Sequence, residues 1–312
     1  MLYLHIGTSK AGSTTIQEFL QQTDTVAFGL GQLRTFGLGN ARWLAAAADT
    51  RNARKYWIES RKHMSAAEFE ANRTELWTDL AKELAQTDCA DFVASSEYLY
   101  RHYFNEPDAL VALHDQLMTH FGDVRVILYL RDQRSYLRSL YTQTVLGAER
   151  SSKDFATFVR TCKTAQALWN YRAGVTLWRK VFGAERMTVI PFSQQNFHGH
   201  DLIQDFLFRI SPQLAGQHVP QHASEARNVS PGYATTRAIR LLNSMRIDPQ
   251  SLPARLFLKL VSSPLAGVWG HADFPADHDD EILDMVSDGN AWLNSRLFDE
   301  FVVKLPVHDK AT

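Results

Sequence analysis

Residues 4–20 read LHIGTSKAGSTTIQEFL and contain the first groups equipped for chemistry. Gly7 and Gly12 keep the G-x-x-x-x-G spacing of a phosphate-cradling loop, but Ser13 stands where a nucleoside triphosphatase places its lysine. The lysine is Lys10, inside the loop. Backbone N–H groups from Lys10, Ala11, Gly12, Ser13, Thr14 and Thr15, with the hydroxyls of Ser13, Thr14 and Thr15, form a donor set suited to one phosphate. Lys10 adds a mobile point charge. A glycine-rich turn that binds nothing is the alternative reading.

Two further stretches carry candidate groups. Arg131 follows the apolar run VRVILYL, residues 124–130, and Ser139 comes eight residues later on the next helix. A guanidinium at the carboxyl end of a strand in an open α/β sheet needs an anionic partner. Ser139 is spaced to share it. The competing partner for Arg131 is a structural carboxylate, with neighbouring Asp132 the nearest in sequence. Glu97 closes a second strand candidate, DFVASS, and would face the same sheet edge. A carboxylate beside bound anions has a raised proton affinity, which suits a general base. Capping of the following helix by Ser96 and Glu97 explains the same residues without chemistry.

The elements that must position these groups alternate. Strands are expected at residues 2–6, at DFVASS, at 124–130 and at MTVIPF, residues 187–192. Ile16, Phe19 and Leu20 mark a helix straight after the glycines. Phe69, Leu76, Leu80 and Leu84 mark another, and Pro107 opens a third over 107–120. Leu137, Leu140, Tyr141, Thr144 and Val145 line one side of the helix after Arg131. This alternation predicts an α/β fold with a central parallel sheet flanked by helices. One domain over 1–312 is expected, with a helical insertion at about 40–87 and a helical C-terminal part at about 231–312. His5, beside the loop, is read as a packed strand residue.

The combination of HIGTSKAGSTTIQ with LRDQRSYLRS resembles the sulfotransferase family that uses 3′-phosphoadenosine 5′-phosphosulfate (PAPS). The resemblance covers most of residues 1–245. It implies that Lys10, Gly12, Ser13, Thr14 and Thr15 form the loop for the 5′-phosphosulfate. It further implies that Arg131 and Ser139 form the 3′-phosphate motif, and that Glu97 is the base. TVIPFSQQNFHGHDLIQDFLFRI is similar to the family's stretch after that motif, and RNVSPGYATTRAIRLLN, from Arg227, looks like a late loop near the nucleotide. The implied reaction moves a sulfuryl group from PAPS to a hydroxyl or amine by in-line displacement, leaving PAP, the desulfonated 3′,5′-bisphosphate. The sulfuryl group carries about one negative charge, and the bridging oxygen becomes anionic as its bond to sulfur breaks. A lysine inside the loop can follow that oxygen, so no metal is expected. Residues 30–87 match no motif of the family, and the acceptor, a small molecule or carbohydrate, stays unspecified.

Other classes set the contrast. A P-loop kinase or triphosphatase needs lysine at position 13 and an acidic metal ligand closing a strand, a place Asp132 can be argued to fill. A non-catalytic nucleotide-binding module needs only the loop. The formal net charge of -1 argues against a nucleic-acid partner. The longest apolar stretch, residues 256–270, is interrupted by Lys259 and Pro264, so no membrane span is expected. The sequence runs from MLYLHIG directly into a strand, and Cys89 and Cys162 suit reduced thiols, both consistent with a cytoplasmic location. Trp43, Arg51, Arg54, Lys55, Tyr56, Trp57 and Arg61 either line an acceptor cleft or form a packed aromatic core with a basic outer face.

Overall fold

Val124–Leu130 is apolar at every position but Arg125, and Arg125 is its one exposed residue. Such a run demands cover on both faces, which is the setting of an inner parallel strand. The computed structural model describes residues 1–47, 50–60, 64–216, 232–249, 251, 253, 274 and 276–308. Its sheet has five parallel strands: β1 (Leu2–His5), β2 (Leu30–Gly31), β3 (Asp91–Ser95), β4 (Val124–Leu130) and β5 (Met187–Pro191), in the order β2-β3-β1-β4-β5. The expected parallel α/β sheet flanked by helices is therefore present. The two-residue β2, in a glycine-rich stretch, had no alternating signature to announce it.

The helices are α1 (Ser13–Gln22), α2 (Arg51–Arg54), α3 (Ala66–Leu84), α4 (Glu97–His102), α5 (Pro107–Phe121), α6 (Gln133–Leu146), α7 (Phe155–Cys162), α8 (Tyr171–Phe182), α9 (Leu202–Ile210), α10 (Tyr233–Ser244) and α11 (Asp279–Leu297). Local rules explain their starts. Pro107 occupies the first turn of α5. Ser65 and Glu68 close a reciprocal capping box on α3, whose Phe69, Leu76 and Leu80 are buried. Residues 40–87 are less continuously helical than their composition suggests: a 3₁₀ turn at Leu44–Ala46, α2 and a π turn at Lys55–Ser60 precede α3. No described helix is long and apolar enough to cross a membrane, and residues 256–270 lie outside the described residues.

The described residues form two compact units. The first draws on Met1–Arg131, Asn170–Glu225 and Trp292–Leu305, and contains the whole sheet. Its core joins Ala11 of the glycine loop to Ile16, Phe19 and Leu20 of α1, Tyr129 of β4 and Ile203, Phe206 and Leu207 of α9. The loop is thus seated on the main core. The second draws on Asp132–Trp169, Ala226–Ala291 and Pro306–Thr312. In it Tyr136, Leu137, Tyr141 and Val145 of α6 pack with Phe155, Phe158 and Val159 of α7.

The aromatic and basic residues before α3 form a satellite core. Trp43 and Trp57 stack with ring centroids 4.9 Å apart. Ala46, Ala53 and Phe69 pack with Trp57, and Arg54 pairs with Glu70 at 2.7 Å. Arg51 and Lys55 are exposed. That is the packed reading of this stretch. Arg61 and the side chain of Tyr56 lie outside the described residues.

Candidate active site

The chain leaves β1 toward β2 on one edge of the sheet and leaves β4 toward β5 on the other. Adjacent strands whose connections part in this way open a crevice at their carboxyl ends, where open α/β sheets take their ligands. The glycine loop follows β1, and Arg131 directly follows β4.

The register explains which residues meet. Past the end of β1 the pairing with β4 continues, Ile6 N–H to Ile127 O at 3.1 Å and Thr8 N–H to Tyr129 O at 3.3 Å. Carrying the same offset two residues on brings Lys10 beside Arg131, and Arg131 Nη1 donates to Lys10 O at 2.8 Å. On the other side Ser96 N–H donates to His5 O at 2.9 Å, which brings Glu97 beside Gly7. A Cβ on Gly7 would lie 2.8 Å from Glu97 Cα, so only glycine fits there. Two strand pairings therefore bring Lys10, Arg131 and Glu97 around one loop.

The loop's backbone is shaped for an anion. Gly7, Lys10 and Gly12 have φ of 64°, 66° and 78°. Left-handed turns are a common feature of backbone anion sites. Lysine in that conformation is unusual and carries strain. A Cβ on Gly12 would overlap the side chain of Leu202. Gly12 is the N-cap of α1 and offers no side-chain cap, and no acidic residue stands in the first turn. The first bond of α1 runs from Ile16 N–H to Gly12 O at 3.1 Å, leaving the N–H groups of Ser13, Thr14 and Thr15 without an intrahelical partner. A phosphate-type anion fits that donor set and the positive end of the helix dipole. Ala11, expected among the donors, is instead fully buried and gives its N–H to Thr8 O at 3.3 Å, inside the loop.

The side chains divide their tasks. Ser13 is buried, and its hydroxyl donates to Thr8 O at 3.1 Å, closing the loop on itself. Thr14 is exposed and Thr15 half-buried. Burial lowers the pKa of Lys10, the charge of Arg131 lowers it further, and Glu97 opposes both. Glu97 opens α4, where a carboxylate is favoured by the dipole. The Ser96 hydroxyl makes no cap bond and, buried, has no partner among the described residues. Instead Glu97 Oε2 accepts a hydrogen bond from Gln17 Nε2 at 2.5 Å. Gln17 was not singled out from the sequence. Its signal was its place one helical turn after Ser13, on the same face of α1.

Asp132, the alternative partner for Arg131 and the alternative metal ligand, is engaged elsewhere. It caps α6 through Arg134 N–H at 3.0 Å and pairs with the Arg134 guanidinium at 3.1 Å. Ser139 lies on α6 in the second unit, half-buried, and its part in the motif rests on the spacing in the sequence. Arg227 lies outside the described residues. His5 is a packed strand residue, as expected: it is fully buried, its Nδ1 is 2.7 Å from Ser95 Oγ, and desolvation pushes its pKa down to about 3.

The sequence matches the sulfotransferase family over residues 4–196, more than half of the chain, and the chain belongs to that family. Among solved structures it is similar to a sulfotransferase from Alicyclobacillus acidocaldarius, at 16% identity, with 79% of this chain and 96% of that one covered and a TM-score of 0.42. A search of curated proteins finds no match.

Proposed function

We propose that this transferase takes its sulfuryl group from PAPS and passes it to a hydroxyl or amine of a small molecule or carbohydrate. The observation that carries the reading is the meeting of Lys10, Arg131 and Glu97 around a glycine loop that leads into the open N-terminus of α1. The N–H groups of Lys10 and of Gly12, Ser13, Thr14 and Thr15 would hold the 5′-phosphosulfate. Arg131, whose guanidinium has five donors, would serve the 3′-phosphate while one of them holds the loop.

The acceptor attacks sulfur in line with the bridging oxygen. The new bond to sulfur forms as the bond from sulfur to that oxygen breaks, and the electron pair stays on the phosphate of PAP. Glu97 takes the acceptor's proton. Lys10 supports the oxygen that gains charge. Its lowered proton affinity reflects a site that is partly desolvated, where such a contact is stronger than in water. No step calls on a metal.

Calorimetry with PAP in the presence of EDTA tests the donor, and transfer of ³⁵S from PAPS into a small-molecule extract, read by mass spectrometry of the labelled products, tests the acceptor. Binding of PAP without metal and labelled product are expected. Preference for ATP with Mg²⁺ over PAP would overturn the reading.

A further inference from the structure

Gln17 donates from Nε2 to Glu97 Oε2 across the gap between α1 and α4, and both residues are half-buried. The contact joins the helix that starts at the anion loop to the first residue of the helix that follows β3. Its helical end is well fixed. A Cβ on Gly39 would lie 2.8 Å from Gln17 O, so the backbone at Gly39 packs directly on α1 at this point. Gln32 adds a clamp, donating from Nε2 to Leu20 O and accepting from Gly39 N–H at 3.2 Å. On the same face of α1, one turn earlier, Ser13 closes the loop through Thr8 O. One helix face therefore sets first the loop and then the carboxylate.

We propose that Gln17 is a positioning residue that holds the Glu97 carboxylate at a fixed distance from the loop for proton removal from the acceptor. The proposal rests on the reading of Glu97 as the general base. A carboxylate has two oxygens, and a donor on Oε2 leaves Oε1 as the acceptor of the incoming proton. Without that donor the Glu97 side chain regains its rotamers, and a misplaced catalytic group loses rate steeply. The neutral amide achieves this without a counter-charge that would compete with Lys10 for the anionic ligand. A contact that only packed α1 on α4 would cost stability on loss of the donor but leave the rate unchanged.

The test is a double-mutant cycle on the initial rate of ³⁵S transfer from PAPS into the extract, with PAP affinity and thermal melting measured alongside. Gln17→Met keeps side-chain length and helix propensity but removes the donor. Gln17→Met and Gln17→Ala are each expected to lower the rate by about 10- to 100-fold, with cooperative melting retained and PAP affinity within about twofold of wild type, since Gln17 acts through Glu97 rather than on the ligand. In the Glu97→Gln background, Gln17→Met should lower the rate no further, because residues that act as a unit are not additive. Full activity in Gln17→Met, or losses that multiply in the double variant, would overturn the positioning role while leaving Glu97 as the base. Full activity in Glu97→Gln would overturn the base and the positioning role together.

Discussion

Arg131 Nη1 donates to the carbonyl of Lys10 at 2.8 Å, so the residue at the end of β4 holds the loop that follows β1. The expected anion-binding arginine is also a strut for the expected catalytic lysine. Lys10, with φ of 66°, has a backbone shape that a lysine would not adopt unaided, and the bond from Arg131 is part of what stabilises it. Arg131→Ala should therefore weaken AMP as well as PAP, and PAP by more. A hydrogen bond to a charged group contributes about 1.5–3 kcal/mol, which sets the scale for the extra loss on PAP. Calorimetry on both ligands checks it. Equal losses would assign Arg131 to the loop alone, and an unchanged AMP affinity would mean the Lys10 contact contributes nothing to the loop.

The strained lysine allows function and stability to be separated. Lys10→Ala and Lys10→Gly both remove the ammonium, and both should lose PAP affinity and turnover. Only the glycine relieves the left-handed backbone, which costs roughly 1–2 kcal/mol for a residue with a Cβ. Lys10→Gly should therefore be the more stable of the pair by about 1 kcal/mol in denaturant unfolding. Equal unfolding midpoints would mean that the loop carries no such strain.

The strand that ends at Leu130 was legible because its residues are apolar almost throughout, and the one that ends at Ser95 because of its Phe-Val-Ala centre; Lys10, Glu97 and Arg131 could be placed because each lies in the turn after a strand. The register was not legible. Nothing local distinguishes Arg131 facing a phosphate from Arg131 facing Lys10 O, since that depends on how β1 and β4 align over a separation of 121 residues. Gln17 was hidden for a related reason: its partner is 80 residues away, and glutamine on an amphipathic helix is ordinary. The left-handed Lys10 broke the rule that such positions belong to glycine or asparagine.

Burial of histidine predicts a pH dependence of folding. Desolvation lowers His5 to about 3 and His102 to about 4, against an ordinary value near 6.5. Between these limits the unfolded chain binds the protons that the folded chain refuses. Stability is then complete above pH 6.5 and falls as the pH drops toward 4, by about 1.4 kcal/mol per pH unit for each fully excluded proton. His5→Gln, which can still bond Ser95, should flatten the slope of unfolding free energy against pH in that window. An unchanged slope would remove His5 as a source.

Turnover and loop geometry meet at Gly7. Glu97→Gln should leave PAP affinity nearly intact and lower transfer by roughly 10²–10⁴-fold, the usual range for a general base. Gly7→Ala approaches the same carboxylate through the backbone: its Cβ would stand 2.8 Å from Glu97 Cα and 3.0 Å from Ser13 Oγ, neither of which is the tip of a flexible chain. Gly29 supplies the control. Its φ is 74°, close to the 64° of Gly7, but a Cβ there would meet nothing within 4 Å. Gly29→Ala thus measures the left-handed strain alone, on the order of 1 kcal/mol. Gly7→Ala should lose that amount plus the displacement of Glu97, and it alone should lower transfer. Comparing the two in unfolding and in ³⁵S transfer isolates the contact. If both alanine variants are equally stable and equally active, Gly7 is needed only for its φ, and the distance between the loop and Glu97 does not govern the reaction.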